Sequence, residues 1–274
     1  MTDTFVAETN DELDTDNGYR ARRPVQRPSL TSLILPPMLE LDHPLVRTPS
    51  FLHAATAMNS ILSRNKIGVI DGPPGTGKTT FAQWAAEQCG RSSAIAVMPE
   101  KPRPLDLLRL CITAVTGHNP AGRNKSEMEA ELVFALSTWQ GLLILDEVQN
   151  VGVSGLTEAR YIHDITRPKF PLLLVGWGAM STIRLNQPLN DRIRTRRNFK
   201  LLHGQELFDT IDELDPRFAA VPRDLIRLAN DLYAGGNLRK WIDIIETLED
   251  WEVNVIDETA IRDAIVHIDE EFAA

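Results

Sequence analysis

Long apolar runs are missing from this sequence. None is long enough to cross a bilayer, and the acidic N-terminus lacks the basic-then-apolar pattern of a secretory leader. The expected location is therefore the cytoplasm, with no membrane role. Cysteine is nearly absent. Cys89 and Cys111 both fall in helix-like apolar stretches. That setting favours reduced core residues over a disulfide, and two cysteines cannot build a zinc site alone. Positive charge is also short, with 29 Lys and Arg against 38 Asp and Glu and a net charge of −9. A protein that coats nucleic acid by bulk attraction is usually basic, so any DNA contact here has to use a local patch.

What the 274 residues do contain is enough apolar material, 43%, for one large or two small domains with a real core. One stretch organises the chain: GPPGTGKTT, comprising Gly72, Pro73, Pro74, Gly75, Thr76, Gly77, Lys78, Thr79 and Thr80. An apolar run, Ile67 to Ile70, precedes it, and the helix-like FAQWAAEQC follows. Strand, Gly-rich turn, Lys-Thr and helix form the context of a phosphate-binding loop. The glycines permit backbone angles that a side chain would block, so successive N–H groups can turn toward one phosphate. The new helix adds its positive end. Lys78 offers a cation to the outer phosphates, and the Thr79 hydroxyl can ligate Mg²⁺.

The second informative stretch is GLLILDEVQN. Leu142 to Leu145 read as a strand buried on both faces, closed by Asp146 and Glu147. Two adjacent carboxylates ending a buried strand need a partner. Magnesium beside Thr79 supplies one. Asp146 would hold the metal, and Glu147 would face the water that attacks the γ-phosphate, as general base.

The remaining chain fits around these two stretches. Residues 1–36 form a charged arm, acidic and then arginine-rich, which composition predicts to be disordered. It is either a solvated tail or a segment that orders on a partner or on nucleic acid phosphates. A helix is expected from Ser50 to Ser63, with Leu45 and Val46 before it as candidate adenine contacts or core residues. Ser126 is the expected N-cap of a helix through Thr138, boxed with Glu129. Further strands are expected over Ser93–Met98, Phe170–Val175 and Phe199–Leu202. Alternating strands and helices over residues 37–203 give a parallel sheet covered on both faces. From residue 204 to 274 the pattern is all helical, a lid of four helices. Between sheet and lid, Arg192, Arg194, Arg196 and Arg197 crowd together. They are either a solvated face paired with lid acids, or a set that reaches a neighbouring nucleotide and DNA phosphates.

The phosphate loop, the LLILDE strand, the strand ending in VG, the arginine segment and the lid sequence GGNLRKWIDII together resemble an AAA+ ATPase of the P-loop NTPase class, over residues 40–270. The DEVQN continuation, the LLLVGWGAM strand and the small lid are similar to the transposition regulators of the TniB, TnsC and MuB type, with IstB as a relative. The resemblance implies an α/β P-loop domain with a helical lid and ATP with Mg²⁺ as cofactors. It makes Lys78 and Thr79 the Walker A pair, and Asp146 and Glu147 the Walker B pair. Arg239 becomes the sensor-2 arginine, and one of Arg192, Arg194, Arg196 or Arg197 a finger for the next subunit. The family usually has a small polar residue after its fourth strand. Here Trp177 stands there, and an indole accepts no hydrogen bond from water. Either hydrolysis is slow or another side chain, such as Asn150, substitutes.

The implied function is an ATP-dependent homo-oligomer, a ring or helical filament, that binds double-stranded DNA largely without sequence preference. It would regulate or target a transposase, with a target-selection protein as a further partner. The alternative is a nucleotide-dependent protein-interaction switch with no DNA role, which the acidic charge favours.

Overall fold

The structure is a computed structural model that describes residues 45–122, 124–167 and 169–270, all within one contiguous unit. The charged arm expected over residues 1–36 lies outside the described residues.

Among the described residues, five parallel strands make one sheet: β1 (Ile67–Asp71), β2 (Ser93–Val97), β3 (Leu142–Asp146), β4 (Leu172–Gly176) and β5 (Ile193–Asn198), in the order β2-β3-β4-β1-β5. β3 and β4 are buried at every position, as their unbroken Leu, Ile and Val runs require of strands covered on both faces. Registers align Asp71 with Gly176 and Asn198, and Val97 with Asp146. The polar ends of the strands therefore meet along one edge, where open parallel sheets bind their ligands.

Helix α1 (Pro49–Leu62) precedes β1, and α2 (Lys78–Gln88), α3 (Asp106–Thr116), α4 (Lys125–Thr138), α5 (Gly152–Ile165), α6 (Ala179–Arg184) and α7 (Gln187–Asn190) connect the strands. Leu143, Leu145, Leu172 and Leu174 pack with Ile112 of α3 and Leu132 of α4 in the main core. Each such leucine contributes about 2 kcal/mol by leaving water. α1 and α2 meet through a second group, in which Phe51, Phe81, Trp84 and Phe199 stack with ring centroids 5.0–5.6 Å apart.

Two sequence expectations change here. The cap of α4 is Asn124, not Ser126. Its Oδ1 accepts the Glu127 N–H at 3.0 Å and its Nδ2 donates to Glu127 Oε1 at 2.7 Å. The cap thus sits two residues earlier than expected, and Glu129 instead pairs with Lys125 at 3.1 Å. The last strand is β5, which contains the arginine cluster, and not Phe199–Leu202. Ile193 and Thr195 are buried while Arg194 and Arg196 are exposed. This is the alternation of an edge strand with one covered face. Residues 199–202 instead carry the chain into the lid, through Phe199 N–H to Asp71 O at 2.7 Å and Leu202 N–H to Gly236 O at 2.8 Å.

The lid comprises α8 (Gly204–Leu214), α9 (Arg223–Ala229), α10 (Leu238–Asp250) and α11 (Glu258–Ile268). Its own core holds Phe208, Ile211, Phe218, Trp241 and Ile261. Trp241 is fully buried, meets Phe218 edge-on at 6.0 Å and donates to Asn230 Oδ1 at 3.3 Å. Asn230 follows α9 directly and opens a single π-helical turn, Asn230–Ala234.

Candidate functional site

The turn between β1 and α2 is built as its glycines imply. Gly72, Gly75 and Gly77 all have positive φ, and Gly77 begins α2 in the left-handed region. The loop then closes on itself. Thr76 Oγ1 donates to Pro73 O at 2.8 Å, and Lys78 Nζ donates to the same carbonyl at 2.7 Å. Lys78 is buried despite its charge. Across the loop, Thr79 Oγ1 donates to Asp146 Oδ2 at 2.9 Å, so the two predicted metal-holding groups do meet.

A cavity of about 240 Å³ opens beside this loop. Pro74, Gly75, Gly77, Lys78, Thr79 and Thr80 line it on one side, and Glu147, Trp177, Leu238, Arg239 and Ile242 on the other. Sheet, loop and lid each contribute to the cavity. Its charges are poorly compensated. Burial pushes the Lys78 ammonium below the ordinary lysine range, against the pull of Glu147, Asp146 and Asp71, and Arg239 adds to the depression. Burial pushes the Asp146 carboxyl upward, opposed by hydrogen bonds from the Glu147 N–H and the Thr79 hydroxyl. A buried cation and a buried anion side by side suit a ligand bearing both signs, a polyphosphate with a divalent metal. The Asp146 carboxylate and Thr79 hydroxyl are hard oxygen donors, the chemistry that Mg²⁺ takes.

Sequence reasoning missed three residues here. Asp71, at the end of β1, accepts from the N–H groups of Gly72 at 2.7 Å, Gly178 at 2.8 Å and Met180 at 3.1 Å. It ties the start of the loop to the turn after β4. Asn237 caps α10, its Oδ1 accepting from Arg239 N–H at 3.0 Å and Lys240 N–H at 3.4 Å. Its Nδ2 donates to Pro74 O at 3.3 Å, and Arg239 N–H donates to Gly75 O at 3.2 Å. The lid is thereby fastened to the loop. Gln149 donates from Nε2 to Glu147 Oε2 and accepts the Trp177 N–H on Oε1 at 3.1 Å. An N-cap at Asn237 was legible ahead of LRKW; the other two contacts have no local signal.

Asn150, the side chain expected to substitute for the residue at 177, points elsewhere. Its Nδ2 donates to Met98 O at 3.2 Å. Trp177 itself is 60% exposed and lines the cavity. Leu45 and Val46 are buried, and Val46 packs into the lid core; neither is among the residues lining the cavity.

The arginines do not form a face paired with lid acids. Arg192 binds Asp164 of α5 at 2.7 Å and Pro188 O at 2.7 Å. It precedes Ile193, whose partner Ile67 opens β1, so it lies at the end of the sheet opposite the loop. Arg196 donates to Asn190 O at 2.7 Å, and Arg197 to His53 O at 3.1 Å. Arg194 is exposed. None of the four lines the cavity of its own chain. Arg239 does.

Residues 61–178 match the family model described as an AAA domain. The chain is 30% identical over 142 residues to the ATP-dependent target DNA activator B of Escherichia phage Mu, a match covering 50% of this chain and 44% of that protein. It is also 30% identical over 139 residues to the activator of the same description from Escherichia phage D108, covering 49% and 43%. The match spans less than half the length of these curated relatives. Among solved structures, the Aeropyrum pernix ORC2 protein superposes with a TM-score of 0.61 at 20% identity, covering 88% of this chain and 71% of that one. The ORC1 protein of the same organism gives 0.60 at 18% identity, covering 88% and 69%. These two likenesses concern the fold alone. The fold is of the AAA+ P-loop class, and the resemblance to a transposition regulator read from the sequence is borne out as a resemblance.

Proposed function

We propose that this chain is an ATP-hydrolysing AAA+ protein that oligomerises around bound ATP, contacts DNA and directs a transposase to its target. The observation that carries the reading is the meeting of Lys78, Thr79, Glu147 and Arg239 around one cavity, with Asp146 bonded to Thr79 behind it, in a chain similar over half its length to an ATP-dependent target DNA activator.

In this reading the loop amides and Lys78 hold the β- and γ-phosphates, and Arg239 approaches the γ-phosphate from the lid. Asp146 and Thr79 would hold Mg²⁺, which supplies positive charge against the phosphate oxygens. Glu147 takes a proton from the attacking water as its oxygen bonds the γ-phosphorus and the bond to the ADP oxygen breaks. The finger comes from one of Arg192, Arg194, Arg196 or Arg197 of a second copy. In this reading Leu45 and Val46 would contact the adenine base from outside the lining of the phosphate cavity.

The test is nucleotide binding, oligomer size and DNA gel shift, measured with Mg-ATP and a non-hydrolysable analogue across a salt series. Expected are ATP-dependent oligomers whose DNA affinity falls steeply with salt. Lys78→Ala should lose all three signals. Glu147→Gln should keep binding and assembly while turnover falls by about 10²–10⁴-fold. If Lys78→Ala still assembles on DNA with ATP, the mechanism is wrong. The net charge of −9 favours a second reading, a nucleotide-dependent protein-interaction switch. ATP-dependent assembly with no DNA shift at low salt would select it.

A further inference from the structure

The residue after β4 is Trp177, where the resemblance leads one to expect a small polar side chain, so that position carries an indole instead. The structure fills that role from another direction. Gln149, in the short 3₁₀ turn Val148–Val151 after β3, spans the gap with both ends of its carboxamide. Nε2 donates to Glu147 Oε2, and Oε1 accepts the Trp177 N–H at 3.1 Å. The two bonds use the amide's donor and acceptor in opposite directions, so its orientation is fixed.

The surroundings are shaped for this bridge. A Cβ on Gly176 would overlap Gln149 Oε1 and press on the Val148 backbone nitrogen at 3.2 Å. The last residue of β4 therefore has to be glycine for the carboxamide to reach its place. On the other side, Glu147 sits at φ 55°, ψ 36°, a left-handed conformation that a residue with a side chain adopts at a cost of about 1–2 kcal/mol. Strain of this kind persists where surrounding bonds over-determine it. The Glu147 N–H is held by Asp146 Oδ1 at 2.8 Å, and its carboxylate is held by Gln149. Lys78 on α2 and Arg239 on α10 line the cavity with Glu147, and Asp146 on β3 precedes it in the chain. Gln149 is neutral, and it donates to the carboxylate while anchored to the β4 end.

We infer that Gln149 is the positioning residue of this ATPase: its carboxamide aims the Glu147 carboxylate and registers it to the end of β4, the task that Trp177 cannot perform. The inference rests on the reading of Glu147 as the base. It makes the absence of a polar side chain at 177 compatible with turnover. It also places Trp177, through its backbone N–H alone, in the same hydrogen-bonded chain as the base.

Gln149→Glu separates the donor from the shape. It keeps the size of the side chain and the acceptor for the Trp177 N–H, but it replaces the N–H facing Glu147 with an oxygen. Steady-state hydrolysis and equilibrium Mg-ATP binding are measured on the full chain, together with the melting temperature. For Gln149→Glu and Gln149→Ala, kcat should fall about tenfold to a hundredfold, the span of one hydrogen bond to a charged group. The Kd for Mg-ATP should stay within about twofold in both, since uniform binding is untouched. Gly176→Ala, which evicts the carboxamide without removing it, should reproduce the kcat loss at unchanged Kd. Wild-type kcat in Gln149→Glu would overturn the inference, as would a loss that appears wholly in Kd. A wild-type chain that fails to bind Mg-ATP would sink the nucleotide reading itself, and this inference with it.

Discussion

Gly75 is the place where the phosphate loop and the lid are made dependent on each other, and Gly75→Ala measures that dependence. Its φ is +70°, and a Cβ there would overlap the Asn237 carboxamide. Two penalties follow. An alanine held in the left-handed region costs about 1 kcal/mol relative to glycine. Displacing Asn237 removes the side-chain cap of α10, worth about another 1 kcal/mol. Gly75→Ala should therefore destabilise the nucleotide-free protein by about 2 kcal/mol, and Asn237→Ala by about 1 kcal/mol. The double variant should not lose the sum. Once Asn237 is truncated, the new methyl has nothing to evict, and only the strain and the missing cap remain, again about 2 kcal/mol. The cycle should close with a coupling energy of about 1 kcal/mol, the cap counted once instead of twice. Urea unfolding followed by circular dichroism, at matched protein concentration and without nucleotide, gives all four midpoints. Additive losses, or a Gly75→Ala loss below about 0.5 kcal/mol, would refute the claim that loop and lid share this contact.

Asp71→Ala leaves three N–H groups without their acceptor and should cost about 2–4 kcal/mol in thermal or urea unfolding; a loss near zero would mean that water replaces the carboxylate freely. Lys78→Met should abolish Mg-ATP binding in calorimetry yet raise the melting temperature of the free protein, because burial disfavours the ammonium. The folded state releases that proton more readily than the unfolded state. The penalty is therefore full below the depressed folded value and relieved as pH climbs from that value toward the ordinary 10.5. The stability advantage of Lys78→Met should shrink over that range; an advantage that grows with pH has the wrong sign. Burial pushes the Cys111 thiol up to about 12, so at pH 8 only about one thiol in 10⁴ is ionised. Cys111 should stay silent toward Ellman's reagent until urea unfolds the chain, and fast labelling in buffer would contradict its packing.

What the sequence disclosed and what it hid follow from how local each signal is. The phosphate loop and the Asp146–Glu147 pair were legible because strand, turn and helix lie within a few residues of the chemistry. The buried strands β3 and β4 were legible because a strand covered on both faces cannot avoid an apolar run. β5 was mistaken because its covered face is only Ile193 and Thr195, and four arginines mask an alternation that an edge strand needs on one side alone. The cap of α4 was misplaced because two polar residues, Asn124 and Ser126, each preceded an acid at capping-box spacing. Asp71, Gln149 and Asn237 belong to a different class. Their partners lie 107 residues away for Asp71 and Gly178, 28 for Gln149 and Trp177, and 163 for Asn237 and Pro74. Only the folded sheet and lid bring those backbone groups within reach, and a single sequence carries no record of them.

These three side chains have one property in common that bears on how the site works. Each binds a main-chain group on a segment other than its own, and each makes at least one such bond at, or next to, a residue lining the cavity. The sheet core and the lid core are separate apolar clusters. The register between Lys78, Glu147 and Arg239 is therefore carried near the cavity by directional bonds as well as by packing. Packing tolerates repacking at similar volume, whereas a hydrogen bond to a backbone N–H weakens steeply once its angle is lost. Conservative changes in the lid core should thus spare the geometry of the site, while loss of a single polar tether should disturb it with the cores intact. A ligand whose phosphates meet the loop while Arg239 meets their far end would act across the same joint, on the side where Asn237 fastens the lid. Binding energy can be converted into lid position through that joint.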